Sequence, residues 1–413
     1  MIADSSSCPY ARYKALRQQG AVVEIAPGTF AITRQDTAKA VLRDPATFSA
    51  VVGGDGFEVH GPCPVKDQIA EIMADYPEKS VLMRTDPPAH TRVRALVSTV
   101  LTPAIVKTLE PGIKALVDAL AAPWIERGEV EFVGEFAGRL PSAVTTRFLG
   151  APPAMEATFK FWAGEVMSRF DGPQTPERQL EVARNIAAMG RYFLDQIAAR
   201  RAQPRGDLIC LLAHAEVDGD RLDDVAIVNV IETFLIGGHE TTTFLLGNSL
   251  WHLANHGNLH RQLVANPALI PLFIEEMLRL EAPAQAALRT PTREVTLDGV
   301  TMPKGATLVV MLASANRDEQ IYEAPEEVRL DRPAATGMRH LAFGYGNHAC
   351  IGLHLARAEA RIALETLLPR MEDIAPGSEN PIARLENFML RGPTRLELGF
   401  RPRQHHGPAE HVV

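Results

Sequence analysis

Cysteine is scarce in this chain: four in 413 residues, Cys8, Cys63, Cys210 and Cys350. They lie far apart with no CxxC spacing, which argues against a disulfide framework and a thiolate zinc site and fits reduced thiols in a cytoplasm. Long basic runs are missing as well. With a formal charge of −8 and a pI near 5.9, the chain lacks the clustered Lys and Arg that phosphate binding needs, so nucleic acid is not an expected partner. The N-terminal MIADSSSCPYARYKALRQQG has no charged segment leading into an apolar run, and neither a signal peptide nor a membrane anchor is expected. The most apolar stretch, 225–254, is interrupted by Glu232, His239 and Glu240 and falls short of the ~20 apolar residues that cross a bilayer. It reads as a helix buried in protein. No repeat and no Gly/Ser-rich linker divides the sequence.

What is present is ordinary globular material, 46% hydrophobic and 22% charged, enough to bury a large core. Helical periodicity with good helix formers runs through 104–127, 180–202, 223–255 and 353–371, between clusters of Pro, Gly and Asp. Strand-like runs are few. Val22–Ile25 is expected to pair with Phe30–Thr33, and Thr296–Leu297 with Thr307–Met311 through turns at Asp298–Gly299 and Pro303–Gly305; Arg395–Phe400 is a further strand. The pattern predicts a mainly α protein with small β-sheets, one domain over 1–413, with residues 1–8 and 403–413 expected to fray. A helix over 223–255 is about 50 Å long at 1.5 Å per residue. A globule of this size has a radius of gyration of roughly 22 Å, so that helix must cross the whole body and carry any polar group at its middle deep inside.

Chemistry concentrates in Phe343-Gly344-Tyr345-Gly346-Asn347-His348-Ala349-Cys350-Ile351-Gly352, just before the helical run Leu353–Leu368. Glycines let the backbone take left-handed conformations and approach a flat ligand closely. A cysteine at the start of a helix has its thiolate favoured by the helix dipole and nearby N–H groups. The segment resembles the cysteine-loop pattern of cytochromes P450, matching it at Phe343, Gly346, His348, Cys350 and Gly352, with Cys350 as the implied proximal ligand of haem b iron. A lone cysteine in a Gly-rich turn would more often be a buried structural residue; the matched set reverses that reading.

A second match lies at the middle of the long apolar helix, Gly237-Gly238-His239-Glu240-Thr241-Thr242, which resembles the family's oxygen-activation motif. A carboxylate beside a hydroxyl in an apolar helix is costly unless paired or hydrated. Dioxygen reduction consumes protons, and Glu240 with Thr241 could hold water and pass protons inward, while Gly237 and Gly238 leave room beside the haem. The bland alternative is a helix kink with an internally bonded threonine. Glu stands here where bacterial members more often carry Asp.

Glu276-Met277-Leu278-Arg279 places an acid and a base at i and i+3, a pair worth little alone. In context it resembles the family's Glu-x-x-Arg helix, with Arg332 of Asp331-Arg332-Pro333 completing a buried network that holds the cysteine loop; Val328 replaces a family aromatic before that segment. Haem also brings two carboxylates that need cations or donors. Asp86-Pro87-Pro88-Ala89-His90-Thr91-Arg92-Val93-Arg94 resembles the propionate-binding helix, so that His90, Arg94, Arg289 and His348 form the implied propionate set. Gly238, Phe343, Gly344 and Gly352 complete the implied cofactor contacts.

The resemblance spans nearly the whole chain, from Pro9-Tyr10 to Arg391-Gly392, and points to the soluble bacterial branch. It implies a monomeric monooxygenase that inserts one atom of dioxygen into a small apolar substrate, with electrons from a ferredoxin and ferredoxin reductase, since no flavin segment follows the body. Arg94, Arg357 and Arg361 are candidates to meet the ferredoxin, each with a structural ion pair as its alternative. A peroxide-driven peroxygenase and a non-catalytic haem-binding protein are the competing classes; the Glu240–Thr241 pair favours the first reading. The segment Asn387–Pro393 resembles members acting on small aromatic ethers and benzoates, with a terpenoid, steroid or fatty acid as the alternative substrate.

Overall fold

The long helices begin where the sequence supplies caps. Thr102, Thr175, Asp207 and Asp223 each accept a hydrogen bond on the side chain from the backbone N–H three residues on, and Pro103 and Pro176 occupy first-turn positions where no N–H is needed. A computed structural model describes residues 8–52, 63–76, 81–169, 172–333, 339–377, 382–385 and 387–403. All but residue 8 of the N-terminal stretch and residue 403 of the C-terminal stretch expected to fray lie outside these.

In chain order the elements are α1 (Tyr10–Gln19), β1 (Val22–Ala26), β2 (Thr29–Ile32), α2 (Gln35–Arg43), β3 (Phe48–Ser49), α3 (Lys66–Ile72), α4 (Ala89–Ser98), α5 (Pro103–Ile125) and β4 (Glu129–Glu131). Next come α6 (Leu140–Phe148), α7 (Glu156–Ser168), α8 (Pro176–Ala202), α9 (Leu208–His214), α10 (Asp224–Asn255), α11 (Gly257–Ala265) and α12 (Ile270–Leu280). The remainder is β5 (Ala287–Pro291), β6 (Val295–Leu297), β7 (Val300–Met302), β8 (Thr307–Val310), α13 (Leu312–Ala315), α14 (Leu353–Leu367), β9 (Met371–Pro376) and β10 (Glu397–Pro402).

The largest sheet has the order β1-β2-β8-β5-β3, with β2 and β8 parallel and the other neighbours antiparallel. The expected pairing of Thr296–Leu297 with 307–311 is corrected. Those residues belong to β6, which pairs with β7 in a separate hairpin, Leu297 opposite Val300. Asp298 and Gly299 have φ of 48° and 78°, the left-handed pair that a tight two-residue turn requires, so the chain reverses at once. β8 instead joins β2 and β5 and so anchors the strand that carries Arg289.

The 32-residue α10 contributes to two apolar cores. Its C-terminal half, through Leu245, Leu246 and Leu250, packs with Trp124 of α5, Phe273 of α12 and Leu364 of α14. Its N-terminal half, through Ile227, Ile231 and Leu235, packs with Trp162 of α7, Phe193 of α8 and Leu96 of α4. Between them, residues 236–241 are none of them fully buried, and Gly237 is the most exposed. An apolar helix covered at both ends and bare in the middle borders an internal space there.

Candidate active site

The cysteine loop is shaped by glycine. Gly344 and Gly346 have φ of 69° and 71°, and a Cβ on Gly346 would lie 2.6 Å from the Leu42 carbonyl oxygen, so no larger residue fits against the end of α2. The backbone N–H of Cys350 donates to the Phe343 carbonyl at 2.8 Å and closes the loop. α14 starts at Leu353 after Gly352, which places Cys350 ahead of the helix end instead of within its first turn. Burial pushes the Cys350 thiol up, and the Gly352 N–H, Arg94 and Arg357 only partly oppose this. The Gly352 N–H favours the thiolate in the expected sense, and burial opposes it.

Around the cysteine the structure gathers the four residues expected to meet two carboxylates. The rings of His90, on α4, and His348, in the loop, stand 4.1 Å apart. Both are held below the ordinary imidazole range by burial; Arg94 adds to this for His90, while His90 and Arg289 add to it for His348, which falls to about 4. Burial also lowers Arg94 and Arg289. Arg289 donates to the carbonyl of Leu288 at 2.7 Å, and neither arginine has an ion pair among the described residues. His90 Nδ1 and His348 Nε2 are buried with no hydrogen-bond partner. Two buried arginines without an ion pair and two histidines with orphaned ring nitrogens, with only the Asp86 carboxylate acting on them, are unfavourable unless an anion with several acceptor oxygens sits among them, and a flat dianion beside Cys350 supplies that charge.

The α10 motif is less conspicuous. Thr241 Oγ1 donates to the Gly237 carbonyl at 2.8 Å, the internally bonded form weighed from sequence, but on the exposed side of the helix where the oxygen can still accept a bond. Glu240 is half-buried. A Cβ on Gly237 would meet nothing within 4 Å, so the space beside this turn is open.

Behind the loop, Glu276 receives Arg279 at 2.8 and 2.9 Å, Arg332 at 3.1 Å to each oxygen and the N–H of Arg329 at 2.9 Å. Arg279 also binds the carbonyls of Asn316, Pro325 and Glu327, and Arg332 those of Glu323, Ala324 and Glu327. The two arginines thus satisfy the carbonyls of an irregular stretch that would otherwise bury them unpaired. Val328 packs against the first core at half burial.

Sequence reasoning missed Glu275. Its carboxylate accepts from Arg357 at 2.6 and 2.8 Å and from His340 at 3.0 Å; burial pushes it up, but these donors outweigh burial and hold it at about 2. The Arg357 guanidinium lies 4.6 Å over the Phe343 ring, so this pair braces the cysteine loop from the far side. Nothing local in the sequence signals a bond across 82 positions. Arg361 is likewise paired, with Glu110 at 2.7 Å and Glu365 at 3.0 Å.

By the family resemblance the substrate is expected against the loop preceding His90, the segment 160–185, Phe234 and Leu235, Ala286–Leu288 and Phe388–Leu390, and two of these meet. The N–H of Gln285 donates to the Met389 carbonyl at 2.8 Å and Ala284 bridges Leu390, which sets Ala286–Leu288 beside Phe388–Leu390. Of the segment 160–185, residues 170 and 171 lie outside the described set.

The family model for cytochrome P450 matches residues 190–399. A putative cytochrome P450 123 of Mycobacterium tuberculosis is 32% identical over 397 residues, 96% of this chain and 94% of that protein. This chain belongs to the cytochrome P450 family. A vitamin D(3) 25-hydroxylase of Pseudonocardia autotrophica is 34% identical over 345 residues, 82% of each chain. The structure of cytochrome P450 CREJ in complex with (4-ethylphenyl) dihydrogen phosphate superposes with a TM-score of 0.85 at 29% identity, over 97% of this chain and 99% of that one. The P450 is a monooxygenase, its cofactor is haem b, and its mainly helical fold with small sheets is the family's. The chemistry of the donor set, a thiol beside two arginines without an ion pair and two histidines with orphaned ring nitrogens, fits that cofactor. Among the described residues no helix is long and apolar enough to cross a membrane.

Proposed function

We propose that this P450 inserts one oxygen atom into a small apolar organic substrate, drawing electrons from a ferredoxin and its reductase. The observation that supports it is the uncompensated set His90, Arg94, Arg289 and His348 around the Cys350 loop. Cys350 would ligate the iron, Phe343, Gly344 and Gly352 would cradle the proximal face, and the two arginines and two histidines would receive the propionates. When bound, thiolate-ligated haem supplies dioxygen activation and O–O cleavage. Gly238 leaves space for the cofactor, and Glu240 with the Thr241 hydroxyl holds water and moves protons toward the reacting oxygen. Leu235, Ala286, Leu288 and Phe388 offer apolar surface, so binding draws on burial at ~25 cal/mol/Å².

Small alkoxy-aromatics are the first substrate class, from the Asn387–Pro393 segment; the ligand named in the CREJ structure is also a phenyl compound. The named vitamin D relative favours a terpenoid or steroid as the second. A ligand panel scored by the low-to-high-spin Soret shift separates them, followed by product formation with ferredoxin, reductase and NADH against hydrogen peroxide alone. Alkoxy-aromatics are expected to shift the spin state and to be oxidised only in the electron-fed reaction. Shifts by steroids alone would remove the aromatic reading, and turnover with peroxide alone would remove the monooxygenase reading.

A further inference from the structure

The two halves of the propionate set hang on different parts of the core. Val93, Leu96 and Val97 of α4, which flank Arg94, pack with α7 and α8. Ala287 and Leu288, which precede Arg289 on β5, pack instead with β2 and β8. A polar joint at Asp86 spans the two. Its carboxylate accepts from the Ser49 hydroxyl and, at 2.9 Å, from the Ala50 N–H, both at the end of β3. Its carbonyl accepts from the His90 N–H at 3.0 Å, in the first turn of α4. The Ser49 hydroxyl is itself fixed, because it accepts from the Val51 N–H at 3.0 Å. β3 pairs with β5 so that Ser49 lies opposite Thr290, the neighbour of Arg289. The path from His90 to Arg289 therefore runs through one carboxylate and one strand pair. Asp86 acts by charge as well: burial disfavours the charged forms of His90, Arg289 and His348, and Asp86 opposes it at all three.

We infer that Asp86 is a positioning residue of the haem site: its carboxylate pins the start of α4 to the end of β3, which spaces His90 and Arg94 against Arg289, and its charge stays among the side chains that meet the propionates. This rests on the reading that His90, Arg94, Arg289 and His348 receive the propionates. Two effects follow, and they are separable. The pin holds the donors at one spacing, so less ordering is left to be done when the cofactor binds. The fixed anion disfavours the arrival of an electron on the iron by Coulomb repulsion, so it keeps the reduction potential low.

The test is haem transfer from the ferric holoprotein to excess apomyoglobin, read beside the midpoint potential and the urea midpoint of each haem-loaded variant. Asp86→Asn keeps both hydrogen bonds, accepting from Ala50 and donating to the Ser49 oxygen, and loses only the charge. It should release haem about as fast as the parent and be reduced at a more positive potential. Ser49→Ala keeps the charge and loses one bond of the pin. It should release haem about twofold to tenfold faster, the range for one hydrogen bond, at the parent potential. Asp86→Ala should show both changes. A general loss of stability, read in the urea midpoint, does not split the two readouts in this way. Parent-like release by Ser49→Ala and Asp86→Ala, or release by Asp86→Asn as fast as by Asp86→Ala, would overturn the pin, and an unmoved potential in Asp86→Asn would overturn the role of the charge. Arg94→Gln reports on the underlying reading: faster release there beside parent-like release by the Ser49 and Asp86 variants removes the pin alone, whereas parent-like release by Arg94→Gln removes the propionate reading and the pin with it.

Discussion

Glu359, on α14, is 3% exposed, its Oε2 has no hydrogen-bond partner, and burial pushes its carboxyl up from 4.5 to about 8. The folded protein therefore keeps a proton that the unfolded chain releases near the ordinary carboxylate range. Between those two values the native state binds more protons than the unfolded state, so stability declines as pH rises from about 4.5 to about 8, in total by a few kcal/mol. Glu359→Gln removes that decline. Urea midpoints of the two proteins should diverge in favour of the variant between pH 5 and 8; parallel profiles would show that Glu359 ionises freely. Thr241 works at the same scale. Thr241→Ala should leave haem content and the substrate-induced spin shift intact while product per NADH falls about tenfold or more and peroxide rises. Unchanged coupling would remove the hydroxyl from the proton path.

At the scale of elements, the fully buried Arg279 and its partners Glu276 and Arg332 tie α12 to the stretch before the cysteine loop. Removing one charge from a buried, fully bonded set costs about 3–5 kcal/mol. Glu276→Gln is expected to lose that much in urea unfolding and to retain haem poorly, whereas Glu323→Gln, an exposed acid paired with Arg329, should change stability by less than about 1 kcal/mol. The i, i+3 spacing of Glu276 and Arg279 showed only that they share a helix face; that Arg332 joins them in a buried network came from the family resemblance. The long helices were legible too: α5, α8, α10 and α14 lie within a few residues of the periodic runs, and α5 continues through Pro111, since amphipathic packing outweighs one missing hydrogen bond. What failed was pairing at a distance. Thr296–Leu297 carried a strand pattern, but alternation does not name a partner, and the Asp298–Gly299 turn decided it. Glu275 with Arg357 and His340 left no local trace, so Arg357 stood as a docking candidate with a structural ion pair as its alternative, and the structure shows the ion pair.

For the whole molecule, the sequence pointed to two places for the chemistry, the middle of α10, which lies between two apolar cores, and the glycine loop before α14. Arg94, Arg289, His90 and His348 come from α4, β5 and the loop itself, elements separated by some two hundred residues, and only the fold brings them within reach of one ligand. The net charge of −8 hides the local excess of positive charge there, since composition averages over a surface whose ion pairs cancel unevenly.

The central claim is that this space holds a haem whose iron is bound by Cys350. The direct measurement is the spectrum of the dithionite-reduced, carbon monoxide-bound protein for the parent and for Cys350→Ala. The parent should bind one haem b and show the strongly red-shifted Soret band that a thiolate ligand imposes. Cys350→Ala should lose that band, whether or not haem remains bound. A red-shifted band that survives in Cys350→Ala, or its absence from a haem-replete parent, would contradict the account.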